Sequence, residues 1–126
     1  MTIESLQNDK IKHLIRLNTD NRFRKKSGVF VVEGQQENER AIHFSYQPQE
    51  FFICETIFKG KLPDAKIHFV SEKIYEKIAY RGTSEGIVGI FTAEEKQLSE
   101  FKPKKNSAVI ILEGIEKPGN LGAILR

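Results

Sequence analysis

Apolar residues fall along this chain in two kinds of short cluster. Residues 8–17 carry Ile11, Leu14 and Ile15 at i, i+3 and i+4, which places them on one stripe of an amphipathic helix. Lys12 and Arg16, four apart, share another face of it. Residues 18–21, Asn-Thr-Asp-Asn, are turn formers expected to end that helix. Then come continuous apolar runs that read as buried strands: Val29-Phe30-Val31-Val32, Phe51-Phe52-Ile53-Cys54 within 49–54, and Ile87-Val88-Gly89-Ile90-Phe91. Residues 66–70 alternate towards one more strand. Between the strands, 35–45 reads as a helix with a thin apolar face (Ala41, Ile42, Phe44). Ser71 caps another through about residue 79, with Ile74 and Ile78 on one side. Gly60, Pro63 and Asp64 make 58–65 a loop, and Arg81-Gly82-Thr83-Ser84-Glu85-Gly86 is a polar loop between glycines. Strand–helix–strand, twice over, predicts a compact α/β sandwich with a mostly buried sheet over residues 1–91.

The pattern breaks at residues 92–107, which are dense in Glu and Lys and contain Pro103, with only Leu98 and Phe101 as apolar anchors. That composition marks a linker between domains. Beyond it, 108–112 (Ala-Val-Ile-Ile-Leu) reads as a strand buried on both faces. Lys117-Pro118-Gly119-Asn120 then forces a turn, Asn120 is placed to cap a helix, and 121–126 would be its first turns. Residues 108–126 therefore read as the start of a second α/β domain.

Composition changes this picture little. With 39% hydrophobic and 29% charged residues the chain is ordinary for a soluble globular protein. No apolar run approaches the roughly 20 residues of a membrane span, and the first ten residues lack the apolar centre of a secretory signal. One cysteine, Cys54, excludes an internal disulfide, and His13, His43 and His68 have no metal-like spacing. The expectation is a cytoplasmic protein with no metal and no membrane association.

Charge distribution changes it more. Residues 8–26 hold seven Lys and Arg against Asp9 and Asp20, although the whole chain carries only +3, so the remainder is net negative. Such asymmetry has two readings, a solvated helix face or a surface for an anionic partner, nucleic acid first. In Arg22-Phe23-Arg24-Lys25-Lys26 the cations suit phosphates and Phe23 suits a base, but a lone Phe more often packs under its own helix. The nucleophile-elbow, paired-cysteine, metalloprotease and phosphate-loop signatures are absent. From spacing alone, the 81–86 loop serves a tight connection, Asn120 a helix cap and Arg126 a solvated helix surface.

A resemblance adds to this. Leu112–Arg126, LEGIEKPGNLGAILR, resembles the first signature motif of the SpoU/TrmH family of RNA 2'-O-ribose methyltransferases, in the SPOUT superfamily. The form Pro-x-Asn-x-Gly-x-x-x-Arg is met by Pro118, Asn120, Gly122 and Arg126, with Lys117 a departure from the acidic residue many members carry there. Residues 10–17, FRKKSGVFVVEG and RGTSEGIVGIF resemble the family's N-terminal substrate-binding domain. The resemblance implies a three-layer α/β/α sandwich like the RNA-binding domain of some ribosomal proteins, followed by the first strand of a knotted SPOUT domain. It implies that a ribose 2'-hydroxyl attacks the methyl group of S-adenosylmethionine, with Asn120 and Arg126 as catalytic residues. Arg126 as a base and Arg126 as an electrostatic stabiliser both stay open. It implies a ribosomal or transfer RNA partner bound through Lys12, Arg16, Arg22, Arg24, Lys25 and Arg81. Cofactor binding and homodimerisation would belong to the knotted domain, so this chain is expected to hold no S-adenosylmethionine, to be inactive by itself and to be monomeric. The competing functions are a non-catalytic RNA-binding module of the kink-turn ribosomal type and a generic α/β small-molecule binder.

Overall fold

The computed structural model describes residues 1–80 and 85–126. The chain forms two compact units, Met1–Glu94 and Glu95–Arg126.

In the first unit, α1 (Asp9–Thr19) opens at Asn8, whose side chain accepts from the Lys10 N–H at 2.9 Å. Its buried stripe is Ile11, Leu14 and Leu17, with Ile15 half-buried beside it. The expected turn after α1 is instead a corner between two helices. Asp20 ends α1 and caps α2 (Asn21–Ser27), which stops at Gly28 in the left-handed conformation at φ 63°. Strand β1 (Val29–Glu33) leads to α3 (Gln35–His43), β2 (Pro48–Ile53), β3 (Lys66–Phe69), α4 (Glu72–Ile78) and β4 (Ile87–Thr92). Each of these matches a cluster expected above.

The four strands make one mixed sheet in the order β1-β4-β2-β3. Strand β4 runs antiparallel to both β1 and β2, and β2 runs parallel to β3, so β4 alone is reversed. The crossover β1–α3–β2 leaves a vacant slot, and the last strand of the unit fills it. This position explains the unbroken apolar run of β4: Ile87, Val88, Ile90 and Phe91 are all 4% exposed or less, as a strand covered on both faces requires.

Alternation along the strands feeds two hydrophobic clusters. Phe52, Val88 and Ile90 pack with Ile11, Leu14 and Leu17 of α1 and Ile74, Tyr75 and Ile78 of α4. Phe51, Ile53, Ile87 and Phe91 pack with Ala41 of α3 and with Phe58. Cys54 is a buried free thiol in the first cluster. Helix α3 is tied to the sheet by Asn38, whose Nδ2 donates to the carbonyls of Val32 (3.1 Å) and Gly34 (2.7 Å). Its Oδ1 lies over Gly89, where a Cβ would collide with it and come within 2.7 Å of Phe91 and 2.8 Å of Phe51. A glycine stands mid-strand because an amide side chain crosses over it.

The second unit departs from expectation. Residues 108–112 form no strand: Ile110 is 74% and Ile111 88% exposed. A strand needs a hydrogen-bonded neighbour, and among the described residues this segment has none. Leu98 and Phe101, the expected anchors, are exposed on and beside a single 3₁₀ turn at Leu98–Glu100. Helix α5 (Pro118–Leu125) starts earlier than expected, after Lys117, with Pro118 in its first turn. Proline's missing N–H costs nothing at the first helical position. Asn120 is therefore inside the helix and does not cap it.

Candidate nucleic-acid interface

The basic segment folds into the α1–α2 corner, and one carboxylate organises it. Asp20 Oδ1 accepts the Phe23 N–H at 2.9 Å, and Asp20 Oδ2 lies 3.8 Å from Arg16 Nε. The Arg16 guanidinium carbon sits 3.9 Å above the centroid of the Phe23 ring, and His13 meets that ring edge-on with centroids 5.5 Å apart. Phe23 itself packs against the core, so it lies under its helix and Arg16 covers it.

The basic residues singled out in the sequence thus take different places. Lys12 and Arg16 project from the exposed face of α1. Arg22 and Lys25 are exposed on α2, with Lys26 beside them. Arg24 turns inward: Nη1 donates to the Leu17 carbonyl at 2.5 Å and Nη2 to Asn21 Oδ1 at 3.2 Å. Leu17 is in the last turn of α1, where carbonyls lack helical partners, so Arg24 caps that helix end. Arg81 lies outside the described residues. Asn120 and Arg126 are exposed in the second unit. Lys12, Arg16, Arg22, Arg24 and Lys25 therefore stand on the two helices that meet at Asp20. Sequence reasoning passed over Asp20, although an Asp three residues before Phe23 and four after Arg16 is a signal for both its contacts.

Two side-chain contacts to backbone N–H groups gather at the end of β1. The Glu85 carboxylate accepts the Gln35 N–H, and Glu33 Oε2 accepts the Tyr80 N–H at 2.6 Å. On the α3 face a groove of about 580 Å³ is floored by Phe30, Val32 and Ala41 and rimmed by Arg40, Phe44 and Tyr46. Its remaining charges are Glu37 and Glu94, so it lacks the positive bias of the α1–α2 corner.

A half-buried charge cluster ties the start of α1 to the sheet. Glu50 Oε2 lies 2.6 Å from His68 Nε2 and 3.5 Å from Lys10 Nζ. Burial pushes the Glu50 carboxyl up. The hydrogen bond from His68 and the charges of Lys10 and His68 outweigh it, so the net pKa lies below the ordinary 4.5. Among the described residues no group of three His, Cys, Asp or Glu could hold a metal ion, and no helix is long and apolar enough to cross a membrane.

Residues 8–89 match the family described as the MRM3-like substrate binding domain. The chain is 25% identical to 23S rRNA (guanosine(2553)-2'-O)-methyltransferase RlmP of Bacillus subtilis (strain 168), across 98% of this chain and 48% of that protein. It is 31% identical to human mitochondrial rRNA methyltransferase 3, across 82% of this chain and 27% of that one. Among solved structures, an RNA 2'-O ribose methyltransferase superposes with a TM-score of 0.77 and 30% identity, across 99% of this chain and 50% of that chain. The chain thus spans half the length, or less, of these relatives. The matched residues take in β1 to β3, the start of β4, the flanking helices and the basic corner, and the relatives agree in kind: the chain belongs to the MRM3-like substrate binding domain family of SpoU/TrmH-type RNA 2'-O-ribose methyltransferases.

Proposed function

We propose that this chain is the RNA-binding portion of an S-adenosylmethionine-dependent 2'-O-ribose methyltransferase, and that the exposed face of the α1–α2 corner is where RNA lies. The observation that carries the reading is the family match over residues 8–89, which includes the corner at which Lys12, Arg16, Arg22 and Lys25 stand exposed. Ribosomal RNA is favoured over transfer RNA because the curated relatives are named for it. Arg24 contributes positive potential from its capping position, and Arg81 is assigned to the same surface on resemblance alone.

The same reading divides the chain into a substrate-binding domain (1–91), a linker (92–107) and the opening of a catalytic domain (108–126). Relatives about twice as long support it. Asn120 and Arg126 belong to the reaction, with Arg126 better suited to stabilise a developing alkoxide or hold a phosphate than to act as a base, since its pKa lies above about 12. The exposure of Val109, Ile110, Ile111, Leu112, Asn120 and Arg126 supports a reading in which this chain by itself holds no S-adenosylmethionine. Cofactor binding, dimerisation and turnover are assigned to the rest of a longer, cytoplasmic enzyme. A purely RNA-binding protein has no use for the Pro118–Arg126 motif, which sets that alternative second.

The test is RNA affinity as a function of salt, by fluorescence anisotropy with a fragment of 23S ribosomal RNA. Binding should weaken steeply as salt rises, because cations on the corner displace counterions from phosphates. The double reversal Arg22→Glu and Lys25→Glu should lower affinity at least about tenfold and reduce the salt slope by about 2. Unchanged affinity in that variant would sink the assignment of the corner.

A further inference from the structure

Arg16 is set apart from the other basic side chains of the corner by what lies beneath it. One side of its guanidinium rests 3.9 Å from the Phe23 centroid, yet the side chain remains 61% exposed. Phe23 cannot give way readily, since its ring packs on the core, its N–H is bound by Asp20 and His13 closes its edge. Arg16 thus presents a planar cation that is supported by the Phe23 ring and still largely open to solvent. We propose that Arg16 is a stacking platform for an unpaired nucleobase of the RNA, with Phe23 and Asp20 as its positioning residues. The proposal rests on the RNA-binding reading above and names what this part of the surface recognises.

Chemistry favours a base here over a phosphate. Guanidinium planes stack on aromatic faces, and proteins read unpaired RNA bases by stacking them on aromatic rings or on arginine. A phosphate would instead seek the N–H edge of the fork. At Arg16 the Nε part of that edge already faces the Asp20 carboxylate at 3.8 Å, which repels an anion and is indifferent to a neutral base. Lys12, one turn earlier on α1, and Arg22, on α2, form no such carboxylate contact among the described residues and are left for the flanking phosphates. Phe23, packed under its helix as expected of a lone Phe, is the support, and the arginine above it meets the base.

The test compares two fluorescein-labelled probes of equal length and charge on the full 126-residue chain at low salt: a short oligoadenylate and the same ribose-phosphate chain without bases. The wild type should prefer the oligoadenylate by about tenfold, the order of one stacked base. Arg16→Lys keeps the charge and removes the plane, so the preference should vanish while abasic binding is retained. Phe23→Leu should cut the preference in part, with circular dichroism checking that it folds; Arg16→Lys carries the test if it does not. A preference that survives Arg16→Lys, or a wild type that binds both probes equally, overturns the platform and leaves the RNA-binding reading standing. A wild type that binds neither probe overturns both.

Discussion

His68 Nε2 donates to Glu50 Oε2 at 2.6 Å between the parallel strands β2 and β3, while Lys10 at the start of α1 reaches the same oxygen at 3.5 Å. His68 is paired in register with Phe52, so its bond to Glu50 is a diagonal contact on one face of the sheet. One carboxylate thus fastens an edge strand and a helix to β2. Its pKa is lowered in the folded protein. For a group of that sign the stabilisation is complete above the unfolded value near 4.5 and is lost as pH falls through the lower folded value. Urea melts should therefore show Glu50→Gln destabilised by about 1–2 kcal/mol at pH 7. The gap to wild type should close as pH drops below the ordinary carboxylate range. An equal gap at neutral and acid pH would contradict this account.

Gly89→Ala should be one of the more damaging small substitutions in the molecule. Its methyl group would meet Asn38 Oδ1 and the rings of Phe91 and Phe51, none of them at the flexible end of a surface side chain. Displacing Asn38 would break its bonds to Val32 and Gly34. Thermal unfolding should report a loss of about 1–3 kcal/mol. Asn38→Ala in the same background should relieve part of it, a non-additivity that a simple loss of strand propensity does not produce.

Arg24 and Lys25 are neighbours with opposite expected phenotypes. Arg24→Ala removes the cap from the Leu17 carbonyl and should cost about 1 kcal/mol of stability. Lys25→Ala removes an exposed ammonium and should leave stability within about 0.5 kcal/mol while weakening RNA binding. Denaturant midpoints and RNA titrations on the two variants separate these effects. Equal stability losses would remove the distinction drawn at the corner.

Hydrogen exchange should divide the apolar runs of the chain. Amides of Phe51, Phe52 and Ile53 and of Val88 and Ile90 should be the slowest, since they sit in the two strands covered on both faces. Ile110 and Ile111 should exchange at near-unprotected rates despite an equally apolar sequence. Protection at these two residues would show that the segment has found a strand partner.

The contrast between those runs shows what the sequence could express. The run at 87–91 and the run at 108–112 carry the same signal, and periodicity alone cannot say which has neighbours to pair with. Element type was legible wherever apolar residues recur: α1, α3, α4 and all four strands were visible in this way. Helix α2 was not, because Arg22-Phe23-Arg24-Lys25-Lys26 contains a single apolar residue and its helicity comes from the Asp20 cap, the Gly28 stop and contact with α1. Strand order was not legible either, since nothing local in 87–92 records that it will lie between β1 and β2. At the candidate interface the cluster of cations was plain in the sequence. The division of labour within it was not, because nothing in the sequence of two adjacent cations records that Arg24 turns inward and Lys25 outward.

The place of β4 bears on how this unit comes to be made. Strands β1 and β2 never touch edge to edge; each is joined to the sheet through Ile87–Thr92. During synthesis the chain therefore emerges with its sheet in two pieces, β1 alone and β2 with β3, until the final strand is released to wedge between them. Long-range pairing of this kind is slow, and open strand edges invite association with other chains. A nascent chain halted after β3 and before residue 87 exposes two such edges at what will become the middle of the sheet. The last six residues of the sheet thus decide whether the preceding eighty-six form a domain or a hazard.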